Sequence, residues 1–355
     1  MSWKKSASLI LLGQQTLLNG MKTNGHNLFD YSILLLQRSP NMRFAPDYSV
    51  FPGGTLDPSD LSEEWPHYIK EFLPSTVDFN LFKRTDIDMY NDIPNPYPGL
   101  VMRICSIRET FEETGFLVCS TRNNSPRKNV FAYLQTINKI DYWRSACRED
   151  GAKFLEMCKI HNLCPDIMAL HEWSEHLTPS FSDIRFDNLL YITSIEDTPT
   201  CIIASDDPET VSAQWLPPNI WLQNYVSNKT KFLPPQLYEL SQMENFQNLF
   251  ELNKFIIERV VNGVKRSIGM LVKCSDSALI LYPGDTLYPS NIDVNNTLIL
   301  FDGTVEEFNK QKIDKENQYL NRLVMNNETR QWEIQRTSNN ISFKNGTHST
   351  IASKL

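Results

Sequence analysis

Apolar positions along the chain fall into short runs, separated by polar stretches that contain proline and glycine. Two runs near the start, SASLILLG and YSILLLQRS, predict buried β-strands, because each is short, rich in branched side chains and bounded by turn residues. The two Asn-Gly pairs between them predict turns. A third, short strand is expected around 49–51, and the glycine pair Gly53-Gly54 follows it directly.

A helical spacing of apolar positions replaces the strand pattern from about 101 to 114. Ile104, Ile107 and Phe111 stand at i, i+3 and i+7, so they share one helix face, and this predicts that the face is buried. Gly115 follows the last turn and predicts the end of the helix there.

The rest of the chain alternates between the two patterns. Residues 128–163 predict one or two helices, and ALHEWSEHLTP and FDNLLYITSI predict strands. Further helices, each entered through a proline pair, are expected in PPNIWLQNYV and in the long stretch that begins PPQLYEL. From about Gly269 short strands dominate. This mixed order predicts an α/β fold in layers, with helical additions and a β-rich C-terminal extension.

Composition narrows the class of protein. The chain has 355 residues, of which 41% are apolar and 21% charged, as in ordinary globular proteins. The net charge of −8 argues against a nucleic-acid partner, and no apolar run approaches the length of a membrane span. The start, MSWKKSASLILLGQQ, resembles a short secretory signal, but without a small-residue cleavage site a strand is favoured. Seven scattered cysteines, an odd number, favour a reducing compartment.

The polar side of the predicted helix carries the first candidate for chemistry. Glu109, Glu112 and Glu113 are spaced i, i+3 and i+4, so three carboxylates share one helix face and repel one another. A hard divalent cation would relieve this repulsion, because Mg²⁺ prefers oxygen ligands and often also holds a substrate phosphate. The alternative is a solvated acidic face that water and Arg108 screen.

Two separate pieces, FPGGTLDPSD and IRETFEETGF, together resemble the Nudix box, G-x5-E-x7-R-E-U-x-E-E-x-G-U, in which U is a bulky apolar residue. Gly54 opens the motif, and its second half is filled by Arg108, Glu109, Glu112, Glu113, Gly115 and Phe116. Asp60 stands at the first Glu position, Thr110 stands at an apolar position, and 47 residues rather than seven separate Asp60 from Arg108. Because loop-closure entropy grows only with the logarithm of length, this insertion of 40 residues costs about 1.7 kcal/mol.

The Nudix resemblance implies a Nudix α/β/α sandwich with a mixed β-sheet. It also implies a hydrolase that splits a diphosphate by attack of water on phosphorus, with Mg²⁺ or Mn²⁺ as cofactor. The implied metal ligands, one of which would take part in activating water, are Glu109, Glu112 and Glu113. Arg108 would orient an acidic partner, for which Asp60 and Asp57 are both candidates.

The segment LLLQRSPNMRFAPDYSVFPGG resembles the motif that marks coenzyme A diphosphatases within this family. The long insertion and the later TPSFSDIRFDNLLY and PPQLYEL are similar to the peroxisomal branch. The resemblance implies hydrolysis of CoA or acyl-CoA to 3′,5′-ADP and (acyl-)4′-phosphopantetheine. Arg38 and Arg43 are then candidate substrate contacts, because they stand just before the glycine pair. Gly53 and Gly54 would let the backbone turn tightly towards the phosphates.

The last three residues of the sequence are Ser353-Lys354-Leu355, which at a free C-terminus form a receptor-read peroxisomal address. We therefore expect the peroxisomal import receptor as a partner and the peroxisomal matrix as the location. CoA or acyl-CoA would be the small-molecule substrate. The expected regions are a Nudix domain at 5–260, with an insertion at 61–100 and a helical substrate-specificity region at 121–170, a β-rich extension at 261–352, and the targeting tripeptide at 353–355.

Residues 121–160 carry eight Lys or Arg and four Asp or Glu, a net charge of +4 in an acidic protein. These basic side chains are candidates for contacts to a 3′-phosphate, and the alternative is a solvated helix surface. They include Arg122, Arg127, Lys128, Arg144, Arg148 and Lys153. Glu209 is an open candidate for a further carboxylate near the metal, whereas Trp215 is expected to pack.

Two motifs resemble zinc-binding sequences, but their ligand spacing does not suit zinc coordination. In HEWSEH the histidines stand at i and i+5, off one helix face, and the segment has the pattern of a strand. The C-x2-H-x2-C stretch of residues 158–164 has no fourth ligand nearby.

Two alternatives to CoA hydrolysis remain. A Nudix hydrolase for another nucleoside diphosphate derivative, such as NADH, would release AMP instead of 3′,5′-ADP. A CoA- or nucleotide-binding protein with weak turnover is the other alternative, because Asp60 replaces the first Glu of the motif. The presence of all three helix carboxylates argues against this last alternative.

Overall fold

The computed structural model describes residues 3–15, 29–84, 86–121, 139–195, 198, 209–260, 263–264, 266–311 and 319–337. Its helices are α1 (Glu64–Lys70), α2 (Pro98–Thr114), α3 (Ile140–Glu149), α4 (Ala152–His161), α5 (Pro218–Val226), α6 (Pro234–Met243), α7 (Leu249–Val260) and α8 (Val305–Asn309). Its strands are β1 (Lys4–Gln14), β2 (Tyr31–Arg38), β3 (Ser49–Val50), β4 (Gly53–Thr55), β5 (Cys119–Thr121), β6 (Leu163–Pro165), β7 (His171–Leu177), β8 (Phe186–Ile195), β9 (Thr210–Leu216), β10 (Arg266–Ile268), β11 (Met270–Lys273), β12 (Ala278–Leu281), β13 (Leu298–Leu300), β14 (Asn321–Met325) and β15 (Trp332–Arg336). Short 3₁₀ turns lie at Pro58–Leu61, Phe79–Lys83 and Asp88–Asp92.

The larger sheet is built around β1, which changes partner along its length. On one side β8 runs parallel to β1 over ten residue pairs. On the other side β4 pairs with the first half of β1, with Gly53 opposite Ser8, and β2 pairs with its end, with Ile33 opposite Leu12. The sheet therefore opens between β4 and β2, directly beside the glycine pair. The order across the sheet is β10-β7-β8-β1-β2-β3, with β9 also bonded to β2.

Alternate residues of β1 enter two separate cores, as the two-residue period of a strand requires. Ala7, Leu9 and Leu11 pack with α2 on one face of the sheet. Ile10 and Leu12 pack with α5, α6 and α7 on the other face. The sheet is thus sandwiched between helices and contains both parallel and antiparallel pairs, so the predicted α/β/α fold with a mixed sheet is confirmed.

The inserted segment 61–100 forms part of the core beneath α2. Trp65 and Ile69 of α1, and Phe82 and Met89 of the 3₁₀ turns, are at most 2% exposed and belong to the same cluster as the apolar side of α2. Each such side chain stabilises the fold by about 2 kcal/mol when it is fully buried. Packing of the insertion therefore offsets part of the free energy that closing and ordering it costs.

A buried ionic network also ties the insertion to the sheet. The carboxylate of Glu172, on β7, accepts hydrogen bonds from Arg103 of α2 at 2.6 Å and from the Tyr90 hydroxyl at 3.1 Å. Arg84 donates to the same carboxylate at 3.2 Å. Because Arg84 and Tyr90 belong to the insertion, this network joins the insertion, the sheet and α2.

The second sheet has the order β13-β11-β12-β14-β15, and its strands come from residues after 269. It packs against α6 through Tyr238. The centroid of the Tyr238 ring lies 4.4 Å from that of Tyr282, and the guanidinium of Arg336 lies 4.5 Å from the Tyr238 centroid. The first strand after residue 261 is different, because β10 pairs with β7 in the larger sheet. Within the described ranges, no helix combines the length and the apolar character that crossing a bilayer requires.

Candidate active site

Helix α2 carries the acidic cluster, and its two ends follow from the sequence. Pro98 starts the helix at a position where a missing backbone N–H costs nothing. Gly115 ends it in the left-handed conformation, with φ of 76°, and its N–H donates to the Phe111 carbonyl at 2.8 Å. Ile104, Ile107 and Phe111 are fully buried, so the predicted apolar stripe and the predicted glycine end are both confirmed.

The three carboxylates of α2 are also buried. Glu112 and Glu113 are 6% and 7% exposed, and the side chain of Glu109 is 16% exposed. The alternative of a solvated acidic face therefore does not describe this helix. The sheet covers one side of α2, and the insertion and α3 cover others.

Two of these carboxylates lie against the glycine pair. The Gly53 N–H donates to Glu113 Oε2 at 2.8 Å. A Cβ atom added to Gly54 would lie 2.4 Å from Glu109 Oε2, so any other residue there would have to displace this carboxylate. The two halves of the interrupted motif are therefore in direct contact, and β4 presents its backbone to the acidic helix.

Arg108 binds the acidic residue that precedes the insertion. Its Nε and Nη2 donate to the two oxygens of Asp60 at 2.8 and 2.9 Å, and its Nη1 donates to Glu112 Oε1 at 3.0 Å. The other candidate partner, Asp57, instead accepts from the N–H and hydroxyl of Ser59. The sequence left the choice between Asp60 and Asp57 open, and the structure places Asp60 on Arg108.

The charges in this cluster do not balance locally. Asp60, Glu109, Glu112 and Glu113 are four acids, and Arg108 is the guanidinium that contacts three of them. Burial raises the pKa of Glu109 to about 8, although the charge of Arg108 opposes the rise. Burial raises the pKa of Glu113 well above its usual range, and it also raises the pKa of Glu112 and of Asp60. The site thus holds buried acidity that an added cation would stabilise.

The donor set fits a hard divalent cation, because every candidate ligand is a carboxylate oxygen and the acids are buried together. In the part of the chain that the structure describes, no three Asp, Glu, His or Cys side chains converge on one point. Glu109 and Glu113 face the glycine turn, and Arg108 Nη1 contacts both Glu109 and Glu112, at 3.1 and 3.0 Å. Glu109 and Glu113 are therefore the two carboxylates that lie against the glycine pair.

Two arginines of α3 hold the last turn of α2, a feature that sequence reasoning missed. Arg144 donates to the carbonyl of Glu112 at 3.1 Å and to that of Glu113 at 2.7 Å, and Arg148 donates to the Glu112 carbonyl at 2.7 Å. Arg144 is 2% exposed, so it is neither a solvated surface residue nor an open phosphate contact. The four-residue spacing of the two arginines places them on one helix face, but spacing alone cannot show what that face meets.

The other basic candidates divide between exposed and undescribed positions. Lys153 is exposed and pairs with Glu156 on the same helix. Arg122, Arg127 and Lys128 lie outside the described residues.

The predicted substrate contacts border the same site. Arg38 ends β2, and its Nε donates to the Phe44 carbonyl at 3.1 Å. The charge of Arg38 opposes, and the charge of Glu209 reinforces, the rise in the pKa of Glu113, so both side chains lie near that carboxylate. Arg43 is exposed in the loop 39–48.

The residues of the two zinc-like motifs form buried hydrogen bonds or pack in the core. His176 of HEWSEH lies on β7, with Nε2 2.6 Å from Glu239 Oε1, and the same glutamate accepts from Trp173 and Ser174. Cys158 and Cys164 are buried in the hydrophobic core against which α2 packs. Trp215 packs beside Phe116, with ring centroids 6.3 Å apart, in agreement with the expectation from the sequence.

Comparison with known proteins gives one family match and several relatives. A family model described as the NUDT19 Nudix domain matches residues 3–243. The chain is 32% identical over 337 residues to the acyl-coenzyme A diphosphatase NUDT19 of Xenopus laevis, covering 86% of each chain. It is 31% identical to the protein of the same name from Homo sapiens, covering 83% of this chain and 80% of the relative.

One solved structure resembles the fold. A Nudix hydrolase from Alicyclobacillus acidocaldarius superposes with a TM-score of 0.50 at 19% identity, covering 70% of this chain and 94% of the other. This likeness concerns the fold alone.

Proposed function

Because the chain belongs to the Nudix hydrolase family, we propose that it hydrolyses the diphosphate bond of CoA and acyl-CoA. The products would be 3′,5′-ADP and 4′-phosphopantetheine, which carries the acyl group when acyl-CoA is the substrate. Relatives named acyl-coenzyme A diphosphatase, which match more than four fifths of this chain, support the choice of substrate. The segment that contains Arg38, Arg43 and the glycine pair agrees with this choice, through its resemblance to coenzyme A diphosphatases.

The observation that carries the proposal is the contact between Glu113 and the Gly53 N–H. This contact brings the acidic helix to the backbone turn at the opening of the sheet, so a diphosphate that enters the opening meets the carboxylates beside the glycine turn. Glu109 lies beside it, against Gly54. An acidic helix edge directed to bulk solvent, far from this turn, would have argued against diphosphate hydrolysis.

Nudix hydrolases act with divalent metal ions. We propose Mg²⁺ or Mn²⁺ for this chain, held by the carboxylates of Glu109, Glu112 and Glu113. Such an ion neutralises phosphate charge and lowers the pKa of a bound water. Arg108, fixed by Asp60, holds Glu112 in place beside the other two acids.

The chain's own groups would bind and orient the substrate around the glycine turn. Gly53 and Gly54 let the turn pack closely against β1 and Glu109, because a Cβ atom at either position would collide with them. Arg38, near Glu113, would bind a phosphate oxygen, and Arg43 in the exposed loop would bind a more distant phosphate.

Product analysis tests the proposal directly. The protein is incubated with CoA, acetyl-CoA, a long-chain acyl-CoA, NADH and ADP-ribose, each with Mg²⁺ and with Mn²⁺, and the products are separated by chromatography. We expect 3′,5′-ADP from CoA and its esters, and loss of activity in a chelator that added metal restores. Release of AMP from NADH without turnover of CoA would favour the alternative substrate class, and no turnover at all would favour a binding protein.

Glu112→Gln tests the metal assignment. We expect kcat to fall by orders of magnitude while the far-UV circular dichroism spectrum stays that of the unchanged protein, because the amide keeps the shape but loses the charge. Glu156→Gln, on the exposed face of α4, is the matched control. Wild-type activity in Glu112→Gln would overturn the assignment of this ligand.

Regions and location complete the proposal. We assign residues 5–260 to the Nudix domain, including the insertion at 61–100 and a substrate-specificity region at 121–170, and residues 261–352 to the extension. We further propose the peroxisomal matrix as the location, with Ser353-Lys354-Leu355 bound by the import receptor, provided that Leu355 is the last residue of the protein. These three residues lie outside the described ranges. Deletion of the tripeptide from a fluorescent fusion should leave the protein cytosolic, and unchanged peroxisomal import would refute the targeting role.

A further inference from the structure

A polar strip runs along the larger sheet from the glycine turn, on the face opposite α2. Ser6 and Ser8 of β1 alternate with residues that pack under α2, so they share the face on which Ile10 enters the other core. Both hydroxyls lie within hydrogen-bond distance of Asn188 Oδ1, at 3.0 and 3.3 Å. A Cβ atom added to Gly53 would lie 2.6 Å from the Ser8 hydroxyl, so the strip begins at the turn where the diphosphate would bind.

An aromatic pair lies at the far end of this strip. Phe186 precedes Asn188 by two residues on β8 and therefore shares its face. The rings of Phe186 and Phe44 are 5.5 Å apart at an angle of 63°, an edge-to-face contact that covers only one of the four ring faces. Both side chains are partly exposed, so aromatic surface remains open to a ligand.

Two arginines belong to, or border, the loop that carries Phe44. The loop 39–48 that carries Phe44 also carries Arg43, which is exposed, and it begins beside Arg38. Arg38 donates to the Phe44 carbonyl at 3.1 Å and lies near Glu113. Of these two cations, Arg38 lies near the carboxylate of Glu113 and Arg43 lies on the loop that carries Phe44.

We propose that this strip binds the adenosine 3′-phosphate half of CoA, with the adenine stacked on the aromatic pair of Phe44 and Phe186. Asn188 and Ser8 would contact the ribose or its phosphates. This inference rests on the proposed function and names the half of the substrate that binds here.

The dimensions and chemistry of the strip favour the nucleotide over the pantetheine arm. Phe186 is in register with Lys4, and Ser8 lies four residues further along β1, so the strip is about 13 Å long. That is the reach of a nucleoside diphosphate. An adenine ring has a π face to stack and its ribose carries anionic phosphate, whereas the pantetheine arm is uncharged and has no ring.

A purely structural role predicts a different outcome. If the contact of Phe44 with Phe186 only fastens the loop 39–48 to β8, its loss would disturb Arg38 and Arg43 together. Both halves of the substrate would then bind less well, or neither would change. The test must therefore compare the two product halves on the same variants.

The experiment is calorimetric titration of the intact protein, with Mg²⁺, by 3′,5′-ADP and separately by 4′-phosphopantetheine. Phe186→Leu keeps an apolar side chain but removes the ring, and Phe186→Tyr keeps the ring face. Phe301→Leu is the control, because Phe301 forms an edge-to-face pair of the same kind with Phe308, at 5.3 Å, in the second sheet. Neither product is hydrolysed, so the measurement does not depend on turnover.

We expect Phe186→Leu to weaken the binding of 3′,5′-ADP by about 5- to 150-fold, the range of base stacking on an aromatic side chain. Binding of 4′-phosphopantetheine should change less than twofold, Phe186→Tyr should bind 3′,5′-ADP as the unchanged protein does, and Phe301→Leu should leave both affinities unchanged. Three results for Phe186→Leu would each overturn the inference: an equal loss of affinity for both products, a loss of affinity for 4′-phosphopantetheine alone, or an unchanged affinity for 3′,5′-ADP.

The inference and the proposed function fail separately. Hydrolysis of CoA by the unchanged protein, together with normal 3′,5′-ADP binding by Phe186→Leu, would retain the function and discard the strip as the nucleotide site. Selective loss of 3′,5′-ADP binding in a protein that does not hydrolyse CoA would retain the site and discard the function.

Discussion

Asp60 and Arg108 stand 48 positions apart in the sequence and form a buried two-pronged ion pair, with Nε–Oδ1 at 2.8 Å and Nη2–Oδ2 at 2.9 Å. Asp60 directly precedes the inserted segment 61–100, and Arg108 is the first charged residue of the motif half that follows it. Their ion pair therefore joins the two halves of the motif across the insertion. The same arginine reaches Glu112, which couples this closure to the acidic cluster. An aspartate thus supplies, in this chain, the acidic partner that the Nudix motif assigns to a glutamate.

We expect Asp60→Asn to lower the free energy of unfolding by about 3 kcal/mol, because removal of one partner leaves a buried charge incompletely compensated. Urea unfolding followed by circular dichroism measures the change. The matched control is Asp86→Asn, since Asp86 pairs with Arg84 but is 51% exposed, and exposed pairs contribute at most about 1 kcal/mol. Equal losses in the two variants would contradict a special role for the buried pair.

Gly54→Ala should reduce kcat by about 100-fold or more with little loss of stability. The new methyl group would lie 2.4 Å from the Glu109 carboxylate and push it away, and displacement of a catalytic group by about 1 Å has effects of this size. Steady-state hydrolysis of CoA, with urea unfolding of the same sample, checks both parts.

Gly284→Ala separates backbone strain from this collision. Gly284 has a φ of +93°, and an added Cβ would meet nothing within 4 Å. The variant should lose about 1–2 kcal/mol of stability through the left-handed backbone and keep its kcat. A normal kcat in Gly54→Ala would show that Glu109 has room to move and that the glycine is not needed there.

Much of the fold follows from local patterns in the sequence. The apolar stripe of α2 was predicted correctly from its helical period, and β1 and β2 were predicted correctly from their short, continuous apolar runs, which are buried on both faces. Strand β9, Thr210–Leu216, was not predicted, although Val211, Ala213 and Trp215 alternate with polar residues as in a half-buried strand. Its pairing with β2 is a tertiary contact that this short pattern does not reveal. The predicted helix near 128–139 lies outside the described residues.

The site was predictable only as far as local spacing could reach. The spacing of Glu109, Glu112 and Glu113 indicated a shared face and an oxygen-rich metal site, and the glycine pair indicated a tight turn. The choice of Asp60 over Asp57 needed the three-dimensional position of the 3₁₀ turn. The hydrogen bonds of Arg144 needed the packing of α3 on α2, because no sequence pattern records which backbone carbonyls a guanidinium meets.

Arg144→Ala should weaken both the fold and the site. Arg144 donates to two carbonyls at the end of α2, and charged hydrogen bonds contribute about 1.5–3 kcal/mol each, so the free energy of unfolding should fall by about 3 kcal/mol. The freed last turn carries Glu112 and Glu113, so we expect a higher Mg²⁺ concentration for half-maximal activity. Arg144→Lys should show an intermediate effect, because it keeps the charge but cannot span both carbonyls.

Lys153→Ala is the control for the charge of this region. Lys153 is exposed and pairs only with Glu156 on its own helix among the described contacts, so stability and Mg²⁺ dependence should both stay unchanged. If Arg144→Ala loses stability while its Mg²⁺ dependence is that of the unchanged protein, the arginine supports the fold without positioning the carboxylates.

The pH dependence of stability should report on Glu172, at the centre of the buried network that joins the insertion to the sheet. Burial raises the pKa of Glu172, but the charges of Arg103 and Arg84 and the hydrogen bonds to the carboxylate outweigh burial, so its pKa lies below the usual value. A carboxylate whose pKa is lower in the folded than in the unfolded protein adds stability above the unfolded pKa of about 4.3. That contribution is lost as the pH falls through the lower, folded pKa.

Glu172→Gln removes this titration while keeping a hydrogen-bond acceptor, so the difference in unfolding free energy between the unchanged protein and the variant isolates it. We expect the difference to be constant above about pH 6 and to shrink steadily below about pH 4. Glu251→Gln, on the exposed side of α7, should give a difference near zero at every pH. A Glu172→Gln difference that grows on acidification would mean that Glu172 binds its proton more tightly in the folded protein. Arg103 and Arg84 would then fail to compensate its burial, and the network could not be what holds the insertion against the sheet.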